Sequence, residues 1–220
     1  MKRLLTLKAS QDVCIAETQH IKTIADLIGI ECDQLVITSL DEVIAGVVGG
    51  EQFDYIYLCG HANEHGFGEA DGSRMFAWGK FALALCNANW LNTGGILFLA
   101  TCRGGLRSIA DTMFRMCGKI DYICGPRWSV DKHDLTAGFH SFIYNLEIRN
   151  EEPAVAVERA SSATGRHFFC YDRLECCSAG LGLDSALSTL QSLVSLGVLN
   201  EQQVLGSLFG GMLKDETTGA

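Results

Sequence analysis

Two residues whose types could do chemistry together, His61 and Cys102, follow two consecutive apolar stretches of the sequence. The stretch "FDYIYLCGH" ends at His61, and "GILFLATCRGG" carries Cys102 followed by arginine and two glycines. If the stretches are neighbouring parallel strands, their carboxyl ends meet at one sheet edge and the imidazole faces the thiol. A nearby histidine favours the thiolate, which is the nucleophilic form of cysteine. The pattern predicts a Cys-His dyad, with Cys102 as nucleophile and His61 as general acid/base.

The residues around Cys102 suit the same chemistry. Backbone N–H groups after His61 or at Cys102 could bind the oxyanion that forms when a thiolate attacks a carbonyl group. Gly104 and Gly105 are expected to leave room for a substrate backbone. Position carries this argument, because the chain holds ten cysteines and most of them are expected to be small buried residues in a reducing compartment.

The elements that must position these residues alternate along the chain. Short β-type runs such as "RLLTLK", "QLVITS" and "IDYICG" are separated by helical patterns such as "TQHIKTIADLIGI", "FAWGKFALALCNAN" and "LRSIADTMFRMC". Strands separated by helices imply crossover connections and a mainly parallel sheet. The runs "YIYLCG" and "ILFLATC" are continuously apolar, which is typical of strands covered on both faces. The sequence predicts an α/β fold of three layers, with helices on both faces of the sheet.

Bulk properties narrow the function. A formal charge of −9 argues against a nucleic-acid surface, which needs clustered basic residues. The first apolar run is too short for a secretory signal, and no segment has the roughly 18 apolar residues that a membrane span requires. We therefore expect a cytoplasmic protein that binds neither nucleic acid nor a membrane, and no motif calls for a cofactor or a metal.

The two strand ends resemble the His- and Cys-containing strand ends of caspase-fold cysteine peptidases. The later segment "IDYICGPRWSVDKHDLTAGFHSFIYNLEIRNEEPAVAVERA" is similar to the region after the nucleophile in the bacterial CHAT branch of that family. The resemblance spans about residues 53–171 and implies a caspase-like fold and peptide-bond hydrolysis. The 41 positions between His61 and Cys102 are near the roughly 50 of caspases.

The resemblance also implies residue roles. Cys102 is the nucleophile and its N–H serves the oxyanion, His61 is the general acid/base, and Ala62 donates its N–H to the oxyanion. Ala100 stands where caspases carry a glutamine that lines the specificity pocket, so a requirement for aspartate before the cleaved bond is not expected. Arg127 and Trp128 lie in the loop that flanks the substrate.

Several alternatives stay open. Family members usually carry His-Gly, and the His-Gly pair here is His65-Gly66, so His65 is the second candidate for the acid/base. Cys59, His61 and His65 are all zinc-ligand types within seven residues, although the spacing matches no common zinc motif. The chain could also be a non-catalytic caspase-like scaffold that binds a ligand or partner, or a cysteine hydrolase acting on a small amide or thioester.

The domain organisation predicted from the sequence is one peptidase domain with an extension. Residues 1–177 form the predicted caspase-like domain, and apolar residues at helical spacing in residues 178–220 predict a helical C-terminal extension. The resemblance to small bacterial relatives implies a regulated effector protease in antiviral defence or cell death. Its substrate would be a protein or peptide, and its trigger an activating partner or a small nucleotide signal.

Overall fold

The structure is a computed structural model, and it describes residues 1–13, 15–45 and 52–180. The described residues form nine strands: β1 (Arg3–Lys8), β2 (Glu31–Val36), β3 (Phe53–Cys59), β4 (His61–Ala62), β5 (Gly66–Gly68), β6 (Met75–Ala77), β7 (Leu91–Ala100), β8 (Ile120–Pro126) and β9 (Phe168–Asp172). They form seven helices: α1 (Ile15–Leu27), α2 (Leu40–Ala45), α3 (Trp78–Ala88), α4 (Arg107–Met116), α5 (Lys132–Glu147), α6 (Pro153–Thr164) and α7 (Arg173–Gly180).

Six of the strands form the main sheet, in the order β2-β1-β3-β7-β8-β9. Every neighbouring pair is parallel except β8 and β9, which are antiparallel. The predicted α/β fold with a mainly parallel sheet is therefore confirmed. The predicted neighbours β3 and β7 lie side by side at the centre of the sheet, where both are protected from solvent.

Alternate residues of each central strand pack into opposite cores, which explains the continuously apolar runs. Ile56 and Leu58 of β3 pack into one core, with buried residues of α3 and α4. Tyr55, Tyr57 and Cys59 of the same strand face the other core, which holds buried residues of α1, α5 and α6. Helices thus cover both faces of the sheet in three layers, as the sequence predicts.

Local sequence explains where helices α5 and α6 begin and which face helix α4 buries. The Asp131 side chain caps α5 by accepting a hydrogen bond from the His133 N–H at 2.7 Å. Pro153 occupies the first turn of α6, where its missing N–H costs nothing. Helix α4 buries Ile109, Ala110, Met113 and Phe114, the spacing of a single helical face.

The residues between β3 and α3 in the chain form a second, three-stranded antiparallel sheet in the order β4-β5-β6. The sequence does not predict these strands, because strands of two or three residues are too short to show an alternating pattern. Close backbone packing explains the glycines: a Cβ at Gly66 would collide with the backbone of Phe76 in β6, and a Cβ at Gly68 with the backbone of Arg74 just before β6.

The predicted helical extension from residue 178 lies outside the described residues, apart from the last turn of α7. Residues Met1–Cys176, which contain both sheets, form one compact unit. Across the described ranges, no helix combines the length and apolar character that a bilayer span requires.

Candidate active site

The register of β3 and β7 sets the positions of the two predicted catalytic residues. Cys59 pairs with Ala100 in the parallel ladder, and His61 and Cys102 each lie two residues beyond that pair. Both side chains line one pocket of about 210 Å³ at the carboxyl edge of the sheet. The full lining of this pocket is Asp12, Val13, Glu17, Gly60, His61, Ala100, Cys102, Val130, Lys132 and Leu135. The edge of the sheet therefore brings imidazole and thiol to a single cavity.

Cys102 lies in a tight turn between β7 and α4. The Gly104 N–H donates to the Thr101 carbonyl at 3.1 Å, and Arg103 adopts a positive φ of 62°. A non-glycine residue in this left-handed conformation costs about 1–2 kcal/mol, so surrounding contacts must hold the turn. One of them is the hydrogen bond from the Arg103 N–H to the Trp128 carbonyl at 3.3 Å. The turn presents a partly exposed Cys102 thiol at the pocket.

The two glycines after this turn serve the fold. Both are buried, and a Cβ on Gly104 would lie 2.6 Å from the Leu99 carbonyl oxygen. A Cβ on Gly105 would collide with the backbone of Gly125 in β8. The expectation that these glycines leave room for a substrate backbone is therefore wrong, since they allow the loop to pack against β7 and β8.

His61 is held by an aspartate that the sequence analysis does not identify. The His61 Nε2 atom lies 2.7 Å from Oδ2 of Asp12, and both side chains are about half exposed. Asp12 belongs to the loop after β1, the strand that borders β3 on the side opposite β7. Three neighbouring strands thus each supply one residue, in the order aspartate, histidine, cysteine. The signal available in the sequence is that Asp12 follows the end of β1 by four residues.

Hydrogen bonding keeps Asp12 ionised. The Ser10 hydroxyl lies between the carboxylates of Asp12 and Glu69, and its hydrogen bond to Asp12 is the main cause that lowers the pKa of that carboxyl group. Burial opposes this effect and raises the pKa, while the hydrogen bond and charge of His61 lower it further. An ionised carboxylate at Nε2 favours the tautomer with the proton on Nε2, which leaves Nδ1 as the basic nitrogen.

The backbone of Ala62 is oriented to donate a hydrogen bond. In an antiparallel pair, hydrogen-bonded and non-hydrogen-bonded residue pairs alternate. The Asn63 N–H donates to the Gly66 carbonyl at 2.9 Å, so the adjacent pair, Ala62 and Phe67, is a non-hydrogen-bonded one. The Ala62 N–H therefore points away from β5, toward the side of β4 on which no strand of the described residues pairs.

The other predicted site residues fall into two groups. Ala100 lines the pocket together with His61 and Cys102, and its side chain is buried. Arg127 and Trp128 are not among the residues that line this pocket: the Arg127 guanidinium lies over the Trp128 ring at 5.8 Å and over the Phe169 ring at 5.4 Å. Trp128 is 61% exposed, which makes it one of the most exposed large apolar side chains among the described residues.

His65 and Cys59, the remaining candidates, face elsewhere. The His65 side chain is 87% exposed in the turn between β4 and β5, where its closest charged neighbour is Glu64 at 3.5 Å. The Cys59 thiol is buried inside the sheet and donates to the Leu7 carbonyl at 3.4 Å. Burial raises the pKa of Cys59 strongly, so its thiol stays protonated. The described residues contain no group of histidine, cysteine and acidic side chains arranged to hold a metal ion.

Glu17 is the second pocket residue that the sequence analysis does not identify. It lies in the first turn of α1, and its side chain is buried against Tyr57 of β3, whose hydroxyl donates to Glu17 Oε1 at 2.9 Å. Burial raises the pKa of Glu17, and the Tyr57 bond and the ammonium groups of Lys132 and Lys8 oppose that effect. The pocket thus contains the thiol, the imidazole and a buried carboxyl group.

Comparisons with known proteins leave the function to be argued from this geometry. No model of a protein family matches the chain, and no curated protein matches it either.

Proposed function

We propose that this protein is a cysteine endopeptidase of caspase-like type, in which Cys102, His61 and Asp12 act together. The observation that carries the proposal is the shared pocket of Cys102 and His61, at matched positions beyond two neighbouring parallel strands. Asp12 adds support, because a carboxylate hydrogen-bonded to Nε2 fixes the tautomer and the orientation of the imidazole.

The proposed reaction begins with proton transfer from the Cys102 thiol to Nδ1 of His61. The sulfur attacks the carbonyl carbon of the scissile peptide bond, and the N–H groups of Ala62 and Cys102 donate to the oxyanion. The C–N bond then breaks while protonated His61 gives its proton to the leaving amine, which leaves a thioester on Cys102. Water attacks the thioester and gives a proton to His61; the C–S bond breaks, the thiol is restored and a carboxylic acid is released.

The caspase-like part of the proposal is supported by the sheet order and by the position of the nucleophile. The sheet is mainly parallel, helices cover both faces, and the residues of the dyad follow two central strands. Arg127 and Trp128 follow the next strand, β8, and a hydrogen bond connects Trp128 to the turn of the nucleophile. The proposed roles in defence or cell death, and an activating partner or nucleotide signal, are predictions of the resemblance.

A peptide library tests the proposal. The purified protein is incubated with a mixture of peptides derived from a whole proteome, and new termini are identified by mass spectrometry. We expect new termini with the wild-type protein and none with Cys102→Ala. The control is Cys86→Ala, which changes another partly exposed cysteine and should cleave as the wild-type protein does. Absence of cleavage, or cleavage that survives Cys102→Ala, would contradict a peptidase with this nucleophile.

A further inference from the structure

A buried carboxyl group lies in the pocket of the proposed nucleophile. Glu17 has a relative exposure of 9%, and it lines the same cavity as His61 and Cys102. The Glu17 carboxylate accepts a hydrogen bond from the hydroxyl of Tyr57, which is itself fully buried. A tyrosine hydroxyl supplies a hydrogen bond but no positive charge. The Tyr57 bond therefore leaves the negative charge of the Glu17 carboxylate without compensation.

No positively charged side chain of the described residues forms an ion pair with Glu17. Lys132 and Lys8 act on it from a longer distance, and Lys132, the residue of the pocket with a positive charge, is exposed to solvent. Water screens the charge of an exposed ammonium group far more than it screens a buried carboxylate. Burial of a charge without an opposite charge is unfavourable, and a cation entering the pocket would remove that cost.

The remaining walls suit a long side chain with a charged end. Val13, Val130 and Leu135 contribute apolar surface, and Ala100 contributes a small side chain to the same lining. Lysine and arginine side chains pack their methylene groups on apolar surface while the charged end reaches a polar partner. An acidic side chain, by contrast, would bring a second negative charge next to Glu17 and Asp12.

We infer that Glu17 makes this pocket the specificity site for a lysine or arginine side chain of the substrate, at the residue whose carbonyl group Cys102 attacks. The inference rests on the proposed peptidase function and adds its substrate class, peptides cleaved after a basic residue. The acidic net charge of −9 favours the approach of such basic segments.

The test uses peptidyl acyloxymethyl ketones that differ only in the residue next to the reactive group: lysine, arginine, norleucine or glutamate. The second-order rate constant of Cys102 labelling is measured by mass spectrometry for each probe. We expect the lysine and arginine probes to react roughly ten- to a hundredfold faster than the norleucine probe, as a charged hydrogen bond implies. The glutamate probe should be the slowest.

The Glu17→Gln variant removes the charge and keeps the shape of the side chain and an oxygen that accepts from Tyr57. We expect its ratio of lysine to norleucine labelling to fall close to one. Glu64→Gln changes an exposed carboxylate of the β4-β5 turn outside the pocket and should leave the ratio as it is in the unchanged protein.

The outcomes separate this inference from the function on which it rests. Labelling of Cys102 at equal rates by all four probes, or a cation preference that survives Glu17→Gln, would overturn the role of Glu17 and leave the peptidase standing. Failure of every probe to label Cys102 would overturn the proposed peptidase itself.

Discussion

The Nε2 atom of His61 lies 2.7 Å from Oδ2 of Asp12, and this contact joins the end of β3 to the loop after β1. It turns the predicted pair of catalytic residues into a chain of three, drawn from three neighbouring strands. Because Asp12 occupies Nε2, the nitrogen left to exchange a proton with Cys102 or with the leaving amine is Nδ1. The orientation of the imidazole thus depends on a residue distant in the sequence.

Asp12→Asn tests this dependence. The amide keeps the shape of the side chain but can donate a hydrogen bond to Nε2, so it no longer fixes the tautomer of the imidazole, and we expect the rate of cleavage to fall by about tenfold or more. Because Asp12 acts through His61, the double variant Asp12→Asn/His61→Ala should be no slower than His61→Ala alone. Asp71→Asn, in a nearby exposed loop, is the matched control, and an equal loss in that variant would contradict the role of Asp12.

Glu17→Gln should change the pH dependence of stability. Burial raises the pKa of Glu17 in the folded protein above its ordinary value of 4.5. Below a pH of about 4.5 the carboxyl group is protonated in the folded and in the unfolded protein, so it does not affect stability. As the pH rises from there through the folded-state pKa, the unfolded chain ionises more easily than the folded protein, so the free energy of unfolding falls. The variant is always neutral, so its melting temperature should exceed that of the unchanged protein at about pH 8.

The difference in melting temperature should shrink toward zero at about pH 4, where Glu17 is protonated in both states. The titratable groups around Glu17 stay the same in both proteins: Tyr57, Cys59, Lys8 and Lys132, Asp12, His61 and Cys102 of the shared pocket, and His20, His133 and His140 of the adjacent cavity. A difference of the same size at every pH, or a less stable variant at about pH 8, would contradict the assignment.

Gly104→Ala should destabilise the protein. The added Cβ would lie 2.6 Å from the Leu99 carbonyl oxygen and 2.7 Å from the Leu99 Cβ, so β7 or the turn must shift. We expect a loss of about 1–3 kcal/mol in the free energy of unfolding, measured by urea denaturation. Gly118→Ala is the matched control, because no atom lies within 4 Å of its added Cβ. Equal stabilities of the two variants would show that the turn is not packed as described.

Trp128→Ala should weaken substrate binding and leave the chemical step intact. The ring is 61% exposed beside the turn of Cys102, and the hydrogen bond that joins them uses only the Trp128 backbone. We expect KM to rise by roughly fivefold, about 1 kcal/mol, with kcat nearly unchanged. A large fall in kcat with no change in KM would instead place Trp128 among the groups that hold the nucleophile.

The central part of this fold could be predicted from the sequence because its signals are local. The apolar runs of β3 and β7 indicate strands covered on both faces, and their ends place His61 and Cys102 at one edge. The small sheet β4-β5-β6 could not be predicted, since its strands are too short for a periodic pattern. Its glycines are explained only by contacts with a neighbouring strand.

Asp12 and Glu17 could not be predicted for a different reason. Asp12 lies in a polar loop, and its partner His61 is 49 positions away, a pairing that depends on the order of the strands. Glu17 is an acidic residue in the first turn of a helix, where an acid is ordinarily solvent-exposed and stabilised by the helix dipole. Its burial arises because α1 packs over Tyr57 of β3, a contact that no local pattern contains.

Activation of the Cys102 thiol is measured by the rate at which each cysteine reacts with a limiting amount of iodoacetamide, mapped by mass spectrometry of the native protein. Cys102 should react faster than the partly exposed Cys86 and Cys170 and the exposed Cys177. Its advantage should disappear in His61→Ala and persist in His65→Ala. If Cys102 reacts no faster than Cys177, or equally fast without His61, the pocket does not activate this thiol and the proposed peptidase is contradicted.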